Sequence, residues 1–255
     1  MEGAIFMQAV RENLRFRRVI PWLFLGGVVV LGFALNWETF QPGADKETQY
    51  AAVSSIFVFH ILALISAILT STILNQEVEN KTIVYLLTRP VPRWKLLFFR
   101  YLACSLVVAA LASINAVFAS AGVYHGLSGN SFLIKDIAAL TVGAFAYGAF
   151  FMLIGLLFNR AMIVCLLFAF GWETAVPNMP GQMSYLSINT YLQAIAQHPS
   201  TGSNKGLAAL SAALGENSIS TSTGYLTMIV FIVVLVVFGA GWFTHFEFLP
   251  REDAE

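Results

Sequence analysis

Charge is what this chain has least of. Only 11% of its 255 residues are Asp, Glu, Lys or Arg, under half of the roughly 25% usual in a soluble domain. The 14 basic and 14 acidic residues cancel, so no bulk attraction to nucleic acid is built in. Cysteine is scarce as well. Cys104 and Cys165 each lie inside an apolar run with no CxxC and no nearby histidine, which reads as two buried thiols and says nothing of redox compartment. No GxxxxGK[ST] phosphate cradle and no GxGxxG after a strand occur, so any nucleotide is held by another chain. HExxH, paired aspartates and a nucleophile elbow are missing too.

What the chain has in quantity is apolar surface: 58% of its residues are hydrophobic and the mean hydropathy is +0.73. A helix needs about 20 mostly apolar residues to cross a bilayer. Six runs meet or approach that length: Val19–Trp37, Ala51–Leu74, Leu96–Tyr124, Ile137–Phe158, Met162–Val176 and Leu226–Phe243. They define an all-α integral membrane protein with a single transmembrane domain over 1–255. The fifth run is short and meets Pro177, so it stops partway or re-enters. Gly32 and Ala34 are spaced like a signal-peptidase site, but the many spans that follow predict that the first run is retained.

Lysine and arginine set the orientation. Eleven of the 14 fall on one side: Arg11, Arg15, Arg17, Arg18, Lys81, Arg89, Arg93, Lys95, Arg100, Arg160 and Arg251. Lys46, Lys135 and Lys205 fall on the other. Both termini are therefore expected in the cytoplasm of a cell whose inner membrane the chain crosses several times. Within residues 3–18, Ile5, Phe6, Ala9, Val10 and Leu14 recur at helical spacing while Arg11, Arg15 and Arg18 share the opposite face. That pattern predicts an in-plane helix with its arginines toward anionic lipid.

The outer connections differ in character. Glu38–Tyr50 is short and acidic-leaning, and His125–Ser131 reads as a simple turn. The connection over 178–224 is too long for a turn and holds two helical patterns, YLSINTYLQAIA and GLAALSAAL, on either side of the break HPSTGSNKG. Short outer helices are expected there.

The connection over 75–95 carries the most specific pattern. Asn80 is a good N-cap, with Glu77 and Glu79 just before it, where a helix N-terminus favours negative charge. Ile83, Val84, Leu86 and Leu87 form an apolar stripe, and Pro90 and Pro92 forbid continuation. The expected helix over 80–88 is about 13 Å long, a size that suits docking into a groove on a cytoplasmic partner. Arg89, Arg93 and Lys95 then face lipid phosphates or acidic partner residues.

The stretch NQEVENKTIVYLLTRPVPRWKLLFFRYL resembles the cytoplasmic signature of ABC transporter type-2 permeases. That signature is an acidic pair, Gly-Thr or a substitute, Leu-Leu, Ser/Thr, Arg/Lys-Pro and a further Arg. Glu77, Glu79, Thr82, Leu86, Leu87, Arg89, Pro90 and Arg93 match it, while Lys81 stands where glycine is common and Arg100 where lysine is frequent. FGWETAVPNMPGQMSYLSINTYLQAI resembles the fifth-span region of one branch of the same family, through Trp172, Glu173, Pro180, Gly181, Leu186, Ser187, Ile188 and Tyr191. The resemblance implies a membrane subunit that pairs across a two-fold axis and binds two ABC ATPase subunits from the cytoplasm. It makes 80–88 the coupling helix, with Glu77, Glu79, Lys81, Thr82, Ile83, Leu86, Leu87, Arg89 and Arg93 as the ATPase-coupling residues. It also implies no cofactor in this chain, with ATP and Mg on the partner ATPase.

Polar groups inside the spans are the remaining candidates. His60 near the middle of span two reads either as a neutral, internally hydrogen-bonded histidine or as a pathway residue. Ser66 and Thr70, with Ala63, form a face suited to close helix packing or to a pathway. Asn115 reads as an interhelical hydrogen-bonding residue. Glu173, beside Trp172 at the outer end of span five, is either an outer gate that attracts cations or a solvated or helix-paired carboxylate. The leading reading is an ATP-driven exporter subunit. A rival intramembrane enzyme built from His60, Glu173, His125, His198 or His245 needs groups that the sequence scatters over different depths. A third reading, a membrane anchor for a regulatory ATPase, shares the coupling helix.

Overall fold

The computed structural model describes residues 2–36, 43, 45–79, 92–126, 130–158, 160–178, 182–198 and 219–245. Among them there are helices and no strands. We number the helices α1 (Glu2–Asn13), α2 (16–35), α3 (46–79), α4 (Arg93–Tyr124), α5 (Leu133–Leu157), α6 (Ala161–Ala175), α7 (Ile188–Ala196) and α8 (Thr221–His245).

Five of these, α2, α3, α4, α5 and α8, are long and apolar enough to cross a membrane. The short fifth run forms α6, about 22 Å long at 1.5 Å per residue, less than the roughly 30 Å hydrocarbon core. Its helix gives way to a 3-10 turn at Val176–Asn178, where Pro177 has no N–H to donate.

Two expected boundaries move. The N-terminal helix does not run through 18: it stops at Asn13, Arg15 is extended (φ −56°, ψ 132°), and Arg18 lies in the first turns of α2. That break lets the chain turn from α1 into the first span. The second span begins at Lys46 rather than Ala51, so part of the expected first outer loop is helix. Its turn at Gln49 and Tyr50 is buried despite its polarity. Helices α2, α3 and α6 each contain a π-helical segment, at Leu25–Val30, Ser54–Val58 and Phe168–Trp172. A π-turn inserts one residue and leaves a carbonyl without its usual donor. Beside the second segment, His60 Nδ1 lies 3.2 Å from the Ser55 carbonyl.

Helices α3, α4 and α5 form the centre, with 67%, 61% and 67% of their apolar windows buried, against 17% for α2 and α8. Lipid is as apolar as leucine, so spans associate by close packing of small residues. Here Ala63 and Ala67 of α3, Ala112 and Ala116 of α4, and Ala144 and Ala149 of α5 are almost wholly enclosed. Exposed Ile229, Val233 and Val237 of α8 and Ile163, Leu167 and Phe170 of α6 suit a lipid-facing or partner-facing surface, and would be a liability in water.

The tightest crossing joins α2 to α4. A Cβ placed on Gly122 would lie 2.5 Å from the Ala34 methyl and 3.5 Å from the Ala34 Cα. Gly122→Ala should therefore lower stability by about 1–3 kcal/mol, measured as thermal melting in detergent. Adding Ala34→Gly, which removes the opposing methyl, should restore most of the loss. A neutral single variant would contradict this packing.

Candidate functional site

Two buried carboxylates lie around α7, one at each of its ends. Asp136 stands in the first turn of α5, where the helix N-terminus favours negative charge. It is wholly buried. Its Oδ2 accepts hydrogen bonds from the Tyr50 hydroxyl at 2.6 Å and the Ser54 hydroxyl at 2.8 Å. Tyr50 and Ser54 are four apart in α3 and so share a face. The other oxygen, Oδ1, is 2.8 Å from His198 Nε2. The pair is close but lacks the alignment of a hydrogen bond. The His198 ring is enclosed by Tyr50, Phe59 and Phe132, with centroids 6.0, 6.2 and 6.0 Å away.

His198 is placed there by the end of α7. Gln197 adopts a left-handed conformation (φ 54°) that terminates the helix. Its side chain is held on both sides: Lys135 Nζ donates to Gln197 Oε1 at 2.8 Å, and Gln197 Nε2 donates to Thr221 Oγ1 at 2.7 Å. The C-terminal end of α7 is thereby tied to α5 and α8.

The N-terminal end is tied to α6 by Glu173, 1% exposed. Ser187 sits at the N-cap in extended conformation, yet the cap comes from elsewhere. Glu173 Oε2 accepts from Ser187 Oγ at 2.6 Å and Asn189 N at 3.1 Å, and Oε1 accepts from Ile188 N at 3.2 Å. These are donors that a helix start leaves unsatisfied, and a carboxylate is the strongest acceptor to offer them. Trp172 Nε1 adds a bond to the Leu186 carbonyl at 3.3 Å. Between its pinned ends α7 buries Leu192 and Ile195. Leu192 fits against Gly143 of α5, where a Cβ would come within 2.6 Å of it.

Of the sequence candidates, Glu173 is hydrogen-bonded to the start of α7. His60 is half-buried and bonded within its own helix. Ser66 and Thr70 are buried inside the bundle, Thr70 receiving the Cys104 thiol at 3.9 Å. Asn115 donates to the Leu111 carbonyl and turns its oxygen toward Gly26 of α2, where a Cβ would collide with it. Arg11 and Arg15 are exposed, and Arg18 Nη1 reaches Asn13 Oδ1 at 3.4 Å. The structure gathers none of His60, Ser66, Thr70 and Glu173 into one site.

Glu77 and Glu79 belong to the last turn of α3, and Arg93 opens α4. Lys81, Thr82, Ile83, Leu86, Leu87 and Arg89 lie outside the described residues, as does the second outer pattern GLAALSAAL. Sequence reading missed Asp136. The signal was present: a lone acid beside the apolar run that starts at Ile137. The Ser54–Asp136–His198 grouping does not resemble a nucleophilic triad, because Ser54 donates to the carboxylate and not to the imidazole. A triad needs the histidine between the other two.

The fold and this site define the class: an all-α, multi-pass membrane protein whose polar residues brace helices. The particular family follows from the chain itself. The family described as ABC-2 family transporter protein matches over residues 9–248, nearly the whole length. The chain belongs to that family and is an ABC-2 type permease. Comparison with curated proteins gives no match.

Replacing Glu173 tests the brace. Glu173→Ala leaves one hydroxyl and two backbone N–H groups buried without their acceptor, and should cost about 3 kcal/mol. Glu173→Gln keeps an acceptor and should cost less. Melting temperatures and the exchange rates of the Ile188 and Asn189 amides report both, and equal melting for the three proteins would contradict the capping role.

Proposed function

We propose that this chain is the membrane subunit of an ATP-driven exporter of the cytoplasmic membrane. In this reading it crosses the membrane six times, with both termini in the cytoplasm and α6 as a short fifth span. It pairs with a second permease subunit, a homodimer by default since closed two-fold pairs dominate oligomers. ATP and Mg reside on separate ABC ATPase subunits. The observation that carries the reading is the family match over 9–248, reinforced by the pattern of Glu77, Glu79, Leu86, Leu87, Arg89 and Arg93.

The architecture supports the coupling route. The segment over 80–91 joins α3 to α4, two of the three most buried helices. A partner docked on it, through Lys81, Thr82, Ile83, Leu86 and Leu87, would push directly on the centre of the bundle. The outer end of that centre is where Tyr50 and Ser54 of α3 meet Asp136. Motion of α3 therefore bears on α7, and the Glu173 cap is the natural outer gate. A path at the two-fold interface would use the exposed faces of α6 and α2. Ser66 and Thr70 join it only when α3 parts from its neighbours.

The test is purification from native membranes in mild detergent, with identification of the associated chains, for the native protein and for a Glu79→Arg, Leu87→Asp double variant of unchanged melting temperature. The reading predicts an ATPase with a Walker phosphate loop that accompanies the native protein and is lost from the variant. A native complex without any ATPase, even after gentle cross-linking, would count decisively against it.

A further inference from the structure

We propose that a groove between α4, α5 and α8 binds one acyl chain of an anionic phospholipid, with the headgroup held near Trp94 and Lys95. The groove has a volume of about 190 Å³. Its walls are Leu97 and Tyr101 of α4, Met152 of α5, and Val237 and Ala240 of α8, with Trp94 at its end. No polar atom lines it. The Tyr101 hydroxyl is turned away and donates to the Phe145 carbonyl at 2.9 Å, leaving its ring carbons to the groove. Such a surface is suited to a hydrocarbon chain and to little else.

The charge at one end selects the lipid. Trp94 lies in the first turn of α4 and is 47% exposed, the placement of an aromatic belt residue at headgroup level. The Lys95 ammonium lies 5.7 Å from the centre of its ring. No acid stands in that turn, which Arg93 opens. From Trp94 to Tyr101 the groove descends about 10 Å along α4. A lipid with its chain in the groove thus brings its phosphate to a cationic, aromatic rim, where each basic residue attracts anionic headgroups.

A second apolar groove, of about 250 Å³, runs between Val142 and Phe145 of α5 and Ile229 and Ile232 of α8. Basic residues line neither groove, and the first differs in having Trp94, with Lys95 against its ring, at one end. Apolar space alone should not discriminate between headgroups. The lipid site depends on no part of the transport reading, and it stands or falls separately.

The experiment offers delipidated protein equal amounts of phosphatidylglycerol and phosphatidylcholine with identical acyl chains and counts retained lipid by native mass spectrometry. The site predicts a preference for phosphatidylglycerol that falls about fivefold in Lys95→Gln. Ala240→Phe fills the groove and should lower retention of both lipids while the melting temperature holds. Val237→Trp is the second filling variant should the first not fold. A phosphatidylglycerol with a photoreactive chain should label peptides containing Leu97–Tyr101 or Val236–Ala240. Equal retention of the two lipids by the native protein would overturn the proposal, as would an unchanged preference in Lys95→Gln or labelling confined to the second groove. If Ala240→Phe instead dissolves a dimer with lipid retention unchanged, the occupant is a second copy and the lipid site is wrong.

Discussion

A carboxyl group buried among membrane helices needs hydrogen-bond donors to replace its lost water. This chain accepts that constraint twice, at Asp136 and Glu173, and the layer around α7 is organised by it. Asp136 draws Tyr50, Ser54 and His198 together from α3 and the end of α7. Glu173 draws in Ser187, Ile188 and Asn189 at the start of α7. Removing one member of such a buried set leaves the rest uncompensated, which costs more than the set gains by forming. The two carboxylates therefore fix where a nine-residue helix lies, although that helix is far too short to span.

The rest of the bundle depends on contact rather than charge. Alanines along α3, α4 and α5 let the backbones approach, and Gly122 and Gly26 admit α2 against α4. The π-segments bring this packing and the outer layer into register. One places Ser54 beside Asp136, and another ends at Trp172, immediately before Glu173. In a permease this arrangement joins two ends of the molecule. Helix α3 carries Glu77 and Glu79 at one end and Tyr50 and Ser54 at the other. Helix α3 thus runs from the connection to α4 to the contacts that hold the end of α7.

Much of this was legible in the sequence, because a bilayer demands long apolar runs and leaves little room for other solutions. All six runs are helical, and the outer pattern YLSINTYLQAIA contains α7. Boundaries were less legible where polar residues are buried. Gln49 and Tyr50 look like loop, but burial with Asp136 makes them helix. Asp136 itself sat one residue beyond an apolar run, where a single acid reads as solvated. The break at Arg15 left the helical pattern of the arginines unbroken in the sequence. The π-segments left no trace, since one inserted residue does not alter hydropathy. Glu173 was singled out, but whether it faced water or a helix start depended on contacts with residues 14 to 16 positions further on, which no local pattern specifies.

Hydrogen–deuterium exchange of the 188–198 peptide in the native protein tests the central claim most directly. A helix held at both ends by buried carboxylates should exchange as slowly as the α5 peptide against which it packs. Exchange at the rate of an exposed loop, with α5 still protected, would contradict the account.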